Sequence, residues 1–131
     1  MLLITHSRPE HALSLTFTRF GRVEEYADNK KTLIDFDEGL AKLREFDMRL
    51  PHVCRVIHNK PIWIRYDKTR HGWHIIILWR KTMLPWSILA LQAILGSDWR
   101  REAMNWARLA SGRTDAFAMK RWNILYSKKL Y

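Results

Sequence analysis

Alternating and periodic apolar positions predict a series of strands and helices along the chain. Residues 13–20 (LSLTFTRF) alternate between apolar and polar side chains, which predicts a strand with one polar face. Residues 32–37 (TLIDFD) form a short apolar strand. Apolar side chains then recur at helical spacing over residues 40–50, where Pro51 is expected to end the helix. Asp37 has the residue type and position expected of the N-cap of this helix.

The middle of the chain contains the strongest strand signals. Residues 53–58 and 62–66 predict one interrupted strand or two short ones, and residues 68–72 (KTRHG) predict a tight basic turn. Gly72 is available in this turn for a positive φ. Residues 73–79 (WHIIILW) are almost continuously apolar, which is typical of a central strand.

Two helices and a last strand are predicted in the C-terminal part. Pro85 suits the first turn of a helix that Gly96 ends, and Ser97 or Asp98 then caps the next helix. Residues 122–126 (WNILY) predict the last strand. The stripe of the first helix that we expect to be buried contains Trp86, Leu89, Ala90, Ala93 and Ile94. The expected inner face of the second contains Ala103, Trp106, Ala107 and Ala110.

The order of these elements predicts an α+β fold. From residue 31 onward the order is strand, helix, strand, strand, helix pair and strand, as in the split βαβ units of ferredoxin-like and RNA-recognition-like sandwiches. Such a fold has a mostly antiparallel sheet with helices on one face and leaves the other face open. The strand at residues 13–20 is expected to be added at one edge. Residues 1–131 form one domain, with an irregular lead-in at residues 1–11 and a basic tail at residues 128–131.

Charge indicates the kind of partner. The chain has 131 residues, of which 47% are apolar, and a formal net charge of +10. Residues 61–131 carry 13 basic and 4 acidic side chains, whereas residues 1–60 carry 10 basic and 9 acidic ones. A one-sided excess of this size favours a polyanion, and the seven tryptophans favour nucleic acid because bases stack on aromatic rings. A surface charged only for solubility is the alternative.

The sequence gives no signal for a membrane or for secretion. The longest nearly uncharged apolar run, residues 83–95, is much shorter than the roughly 20 residues that a membrane-spanning helix needs. The first residues lack the features of a signal peptide. The single cysteine, Cys54, cannot form an internal disulfide. We therefore expect a cytoplasmic protein, in the cytoplasm of the host cell if it is viral.

Three basic segments are candidates for phosphate contacts. The turn at residues 68–72 offers two cations and backbone N–H groups, and the helix start at residues 96–101 offers N–H groups and two arginines. In the second segment, an internal ion-pair cluster around Asp98 and Glu102 is an equally weighted alternative. Basic and aromatic side chains alternate in residues 121–129, where core packing of the aromatic rings is favoured over base stacking. The candidate nucleic-acid contacts are Lys68, Arg70, Trp73, His74, Arg100, Arg101, Lys128 and Lys129.

Asp35 and Asp37 form a separate candidate site. Side chains two residues apart on a strand point to the same face, and two neighbouring carboxylates can share a divalent cation. The spacing alone favours a simpler arrangement, in which Asp37 caps the helix and Asp35 faces water.

Residues 32–80 resemble the palm core of archaeo-eukaryotic primase-polymerases. The resemblance is carried by TLIDFD, the following helix, and the segment IRYDKTRHGWHIII. It implies that Asp35 and Asp37 bind Mg²⁺ or Mn²⁺, and that Gly72 and His74 form the element that contacts the nucleotide. The remainder, including LQAILGSDWRREAMNWARL, resembles small basic proteins of hyperthermophilic archaea and their viruses, which implies no activity.

We therefore expect a nucleic-acid-binding protein of a virus or mobile element that acts in replication or gene control and needs no cofactor. One alternative is a primase-like nucleotidyltransferase or nuclease that depends on Mg²⁺ or Mn²⁺, in which Asp35 and Asp37 bind the metal and His74 is the candidate catalytic residue. The other is a structural or host-protein interaction module. Enzyme activity and a homodimer are left open.

Overall fold

The computed structural model describes residues 3–5, 14–17, 23–26, 29–37, 39–111 and 122–127. They form seven strands and three helices in an α+β arrangement. In chain order the elements are β1 (Leu3–Thr5), β2 (Ser14–Phe17), β3 (Val23–Tyr26), β4 (Lys31–Phe36), α1 (Leu40–Ile57), β5 (Pro61–Lys68), β6 (Trp73–Trp79), α2 (Pro85–Ile94), α3 (Trp99–Ala110) and β7 (Ile124–Ser127).

The main sheet has the strand order β1-β5-β6-β4. β6 is antiparallel to β4 on one side and to β5 on the other, so β4 and β5 run parallel to each other with β6 between them. α1 connects β4 to β5. The predicted βαβ unit and the central position of the apolar strand are therefore confirmed.

The remaining strands differ from the prediction. β2 and β7 pair with β3 in a second, three-stranded antiparallel sheet, so neither is an edge strand of the main sheet. Part of the expected irregular lead-in forms β1, which pairs in parallel with β5. These are long-range pairings, and local polarity patterns contain no information about which distant strand provides the backbone partner.

α1 continues through Pro51, although proline was expected to end it. Phe46, Leu50 and Val53 are buried, and this i, i+4, i+7 spacing extends one apolar stripe past the proline. Pro51 itself is exposed. Packing of the stripe on the sheet therefore outweighs the loss of one backbone hydrogen bond, and the strand predicted at residues 53–58 is instead the end of the helix.

The apolar core lies between the main sheet and the helices α1 and α2. Ile34, Phe36, Ile75 and Ile77 of the sheet pack with buried side chains of these two helices. Apolar side chains of the opposite sheet face are buried as well, since Leu33, Trp63 and Ile76 are at most 3% exposed. On the same face, Asp35, His74 and Asp67 are 21%, 13% and 39% exposed. The face predicted to be open is therefore buried at its apolar residues and partly exposed at its polar ones.

The buried sides of α2 and α3 differ from those predicted from the sequence. Leu89 was correctly placed in the core, but Trp86, at the start of α2, is 49% exposed. In α3, Trp106 is 58% exposed whereas Asn105 is fully buried. The predicted buried side chains that are exposed instead are Trp86, Ala90, Ala93, Ile94, Ala103, Trp106, Ala107 and Ala110.

The turn between β5 and β6 packs against the end of β4. A Cβ atom at Gly72 would lie 1.7 Å from the backbone oxygen of Phe36, so no side chain fits at this position. The expected positive φ is not found at Gly72; among the described glycines it is Gly96, after α2, that has a positive φ, of 98°. Glycine is therefore required at position 72 because two backbone segments approach each other closely.

We expect Gly72→Ala to lower the free energy of unfolding by about 3 kcal/mol, because the methyl group forces the turn away from β4. Gly39→Ala is the matched control, since a Cβ at Gly39 meets nothing within 4 Å. Its effect should stay below about 0.5 kcal/mol. Urea unfolding followed by circular dichroism measures the difference, and equal stabilities of the two variants would contradict the close approach.

Candidate functional site

The free edge of β4 is covered by side chains of the α2–α3 region. The backbone N–H of Leu33 donates to Gln92 Oε1 at 2.9 Å, and the carbonyl of Leu33 accepts from Arg101 Nη1 at 2.7 Å. Asp35 continues this pattern, since its N–H donates to Ser97 Oγ at 3.1 Å and its carbonyl accepts from the N–H of Asp98 at 2.7 Å. The edge of the sheet is thus hydrogen-bonded without a further strand.

Arg101 belongs to this buried network and not to a surface. Its guanidinium donates to Glu102 Oε2 at 2.5 Å and to Asn123 Oδ1 at 3.1 Å. Burial lowers the pKa of Arg101, and the carboxylates of Glu102 and Asp35 counteract this shift. The prediction of Arg101 as a phosphate contact is therefore wrong, and the alternative of an internal ion pair with Glu102 is confirmed.

Amide side chains complete the network beneath α3. Gln92 Nε2 donates to Glu102 Oε1 at 2.7 Å, and Asn123 Nδ2 donates to Gln92 Oε1 at 2.7 Å. Asn105 accepts from Arg108 and donates to Asn123 Oδ1 at 3.2 Å. These polar contacts explain why α3 turns its polar side toward the protein interior.

The other predicted phosphate contacts have different surroundings. Lys68 lies over the ring of Trp73, with Nζ 5.4 Å from the ring centroid, and Trp73 packs partly against the core on the α1 side. His74, the next residue, points to the opposite sheet face. Arg100 is exposed, with its guanidinium 5.7 Å from the ring of Trp99. Lys128 and Lys129 lie outside the described residues.

The turn at residues 68–72 uses backbone N–H groups internally. The N–H of Thr69 donates to the carbonyl of Gly72 at 3.0 Å, and the N–H of Gly72 donates to Thr69 Oγ1 at 3.0 Å. Lys68 Nζ also donates to the carbonyl of Gly72, at 3.3 Å. These groups are therefore engaged within the turn, while Arg70 is exposed.

A row of charged side chains crosses the main sheet near this turn. Asp35, His74 and Asp67 lie in register on β4, β6 and β5. His74 Nε2 is 3.4 Å from Asp35 Oδ1, and the buried Arg65 donates from Nε to Asp67 Oδ2 at 2.9 Å. The structure thus brings together Asp35 and His74, which the primase-like alternative assigns to one site.

Asp37 adjoins this row at the end of β4. The N-cap of α1 is Gly39, so Asp37 does not have the predicted capping role. Burial raises the pKa of Asp37, as do the carboxylates of Asp35 and Asp98, whereas His71 and His74 lower it. Across the part of the chain that the structure describes, no group of three or more metal-ligating side chains is arranged to hold an ion.

A cationic cleft lies at the other end of the β5–β6 pair. It has a volume of about 580 Å³ and opens where the end of α1 meets the start of β5 and the end of β6. Among the residues that the structure describes, four formal positive charges and no carboxylate line it. Its lining residues are Cys54, Arg55, His58, Asn59, Lys60, Arg80 and Lys81. We call this site the basic cleft.

Asn59 holds the two loops of the basic cleft together. Its side chain is buried, and Oδ1 accepts from the N–H of Lys60 at 2.9 Å and from the N–H of Lys81 at 3.0 Å. Its Nδ2 donates to the carbonyl of Lys81 at 3.1 Å. Lys81 Nζ donates to the carbonyl of His58 at 2.9 Å. The backbone that carries the cations is therefore fixed by buried hydrogen bonds.

The sequence analysis did not identify the basic cleft, although the sequence contains a pattern of basic residues that indicates it. The HNK segment (residues 58–60) precedes β5, and Arg80 and Lys81 follow β6. In an antiparallel pair the start of one strand lies beside the end of the other, as the pairing of Pro61 with Trp79 shows. The two short basic segments therefore had to meet once these strands were paired.

Comparison of the chain with protein-family models, with curated proteins and with solved structures finds no match. None of the helices in the described ranges is long and apolar enough to cross a membrane.

We expect Glu102→Gln to lower the free energy of unfolding by about 3–5 kcal/mol, because the buried Arg101 loses the charge that compensates it. Glu45→Gln is the matched control, since Glu45 forms only partly exposed ion pairs with Lys42 and Arg49, at 3.9 and 3.6 Å. Its cost should be at most about 1 kcal/mol. Thermal and urea unfolding would measure the two effects, and similar small costs would argue against a buried ion pair.

Proposed function

We propose that the protein binds nucleic acid and that the basic cleft contacts the phosphate backbone. The observation that carries the proposal is the convergence of Arg55, Lys60, Arg80 and Lys81 around one cleft that none of the described carboxylates lines. Such a cleft attracts anions and concentrates them through its local potential. The proposal keeps the partner expected from the sequence and moves the main contact away from Gly72.

The interaction partners of the basic side chains favour the basic cleft over the phosphate contacts predicted from the sequence. Within the described residues, Arg55, Lys60 and Arg80 have no carboxylate partner, so binding a phosphate would not require breaking an ion pair. Arg101 is buried against Glu102, and Lys68 is engaged with Trp73. Arg70 and Arg100 are exposed and are proposed as secondary phosphate contacts.

The biological setting and the finer fold assignment belong to the same proposal. The β4-α1-β5-β6 arrangement supports a ferredoxin-like or RNA-recognition-like relationship. In such folds a last strand joins the main sheet, whereas here β7 pairs with β3. We propose action in the replication or gene control of a virus or mobile element, in the cytoplasm of the host cell, on the basis of the family resemblance and the basic charge.

Neutralising the basic cleft should weaken binding and lower its salt dependence. We expect Lys60→Gln/Arg80→Gln to reduce the slope of log K against log[salt] by about 1.4 for single strands and about 1.8 for duplex DNA, if each side chain contacts one phosphate. Fluorescence anisotropy with labelled single-stranded and duplex oligonucleotides, over a series of salt concentrations, measures these slopes.

Lys68→Gln/Arg70→Gln is the comparison variant, because it removes the same charge at the other end of β5, where Lys68 is engaged with Trp73 and Arg70 is a proposed secondary contact. This variant should lower the slope by at most half as much, about 0.7 for single strands and about 0.9 for duplex DNA. A reduced slope in this variant alone would place the contacts at the Gly72 turn, and a native chain without affinity for any of the oligonucleotides would overturn the proposed function.

A second candidate function is metal-dependent nucleotidyl transfer. It is favoured by the contact between His74 and Asp35, and by the mutual influence of the Asp35, Asp37 and Asp98 carboxylates. A divalent cation would neutralise these charges. In this candidate Asp35 and Asp37 hold Mg²⁺ or Mn²⁺, and His74 orients a phosphate group.

Manganese binding tests the second candidate without assuming an activity. If it is correct, Mn²⁺ raises the melting temperature of the native chain and has no effect on Asp35→Asn, because only a folded site binds the ion. Asp47→Asn removes an exposed carboxylate on α1 and should keep the native response. A native melting temperature that is independent of Mn²⁺ would exclude this candidate.

A further inference from the structure

The outer surface of α2 and α3 is apolar and exposed. Its large side chains are Trp86 and Ile94 of α2 and Trp99, Met104 and Trp106 of α3, which are 49–72% exposed. Five exposed alanines of the two helices accompany them. We call this surface the tryptophan face. None of its residues has a role in the core, the β4 edge or the basic cleft.

The tryptophan face is continuous across the two helices. The rings of Trp86 and Trp106 are in edge-to-face contact, with centroids 6.2 Å apart. On α3, Trp99, Ala103, Trp106 and Ala110 follow the i, i+4, i+7, i+11 spacing, which aligns them along one side of the helix. The opposite side of α3 holds the polar network at β4. The orientation of α3 is therefore fixed by its polar contacts, and these keep the tryptophans outside.

The exposed area matches what a stable protein interface requires. With about 250 Å² for a complete tryptophan side chain, the three tryptophans together expose roughly 450 Å². The other apolar side chains of the face bring this area toward the roughly 800 Å² that each partner contributes to an interface of standard size. Apolar patches of this extent on a protein surface mark sites of association.

We propose that the tryptophan face binds a second copy of the chain in a two-fold symmetric dimer. Two arginines lie beside the face: Arg100 is against Trp99, and Arg49 donates from Nη1 to the carbonyl of Ile94 and pairs with Glu45 on its own helix. Charge therefore neither requires an oppositely charged partner nor opposes self-association there. A two-fold interface needs a surface that complements itself, and bulky tryptophans beside alanines on the same surface provide protrusions and matching hollows.

Sedimentation equilibrium of the full chain over a range of protein concentrations tests the proposal. The native chain should have twice its 15.8 kDa monomer mass at high concentration. Trp99→Glu and Trp106→Glu should each weaken the dimer by roughly 30-fold or more, the loss expected for an interface hot spot. Met48→Glu is the matched control, because Met48 is 73% exposed on α1 and Trp99 is 72% exposed. This control should dimerise like the native chain.

Each possible result of this experiment either supports or overturns the dimer. Because the changed side chains are exposed, far-ultraviolet circular dichroism should show native folding in all variants. A native chain that is monomeric at every concentration overturns the dimer. The dimer is also overturned if this monomer binds lipid vesicles or single-stranded oligonucleotides through its tryptophans. A dimer that persists in Trp99→Glu and Trp106→Glu also overturns it, because the interface then lies elsewhere. Loss of the dimer in these variants alone, without loss of folding, supports it.

Discussion

The fold depends on how the backbone N–H and C=O groups at the free edge of β4 are hydrogen-bonded. A sheet edge presents N–H and C=O groups that need partners, and a buried edge without partners is costly. Here Gln92, Ser97, Arg101 and the backbone of Asp98 bond to Leu33 and Asp35, in the place where a further strand would otherwise pair. The α2–α3 region therefore acts as the boundary of the main sheet, and β7 is left to pair with β3.

This boundary determines which charges are available for function. Arg101 and Glu102 neutralise each other inside the molecule, and Arg65 does the same with Asp67 on the sheet. These arginines contribute to the formal charge of the chain but not to a free cationic surface. The basic cleft differs because Lys60, Arg80 and Lys81 flank strand ends, where Asn59 fixes the backbone and the basic side chains are exposed. The net charge of the chain does not distinguish arginines in internal ion pairs from arginines that line the basic cleft.

Prediction from the sequence succeeded where the determinants are local. The apolar run of β6, Pro85 at the start of α2 and Asp98 at the start of α3 were each placed correctly. It failed where tertiary contacts outweigh local preference. Pro51 lies within α1 because the apolar stripe continues beyond it, and α3 buries Asn105 because Glu102 and Asn123 accept hydrogen bonds from its side chain. For the candidate site, the contact between Asp35 and His74 follows from strand pairing, which periodicity does not reveal.

The tryptophan face follows from the orientation of α3, whereas the basic cleft is independent of it. Since α3 must direct its polar side toward β4, its apolar side has no core to join, and association is the remaining way to remove it from water. The basic cleft is built by α1, β5 and β6, which contribute no residue to that face. A dimer formed through α2 and α3 would therefore carry two intact clefts, and a nucleic acid long enough to reach both would bind more tightly than to one cleft. The salt dependence of binding by the dimer would then reflect the number of phosphates that two chains contact. In variants that disrupt the dimer, it would reflect the number that one chain contacts.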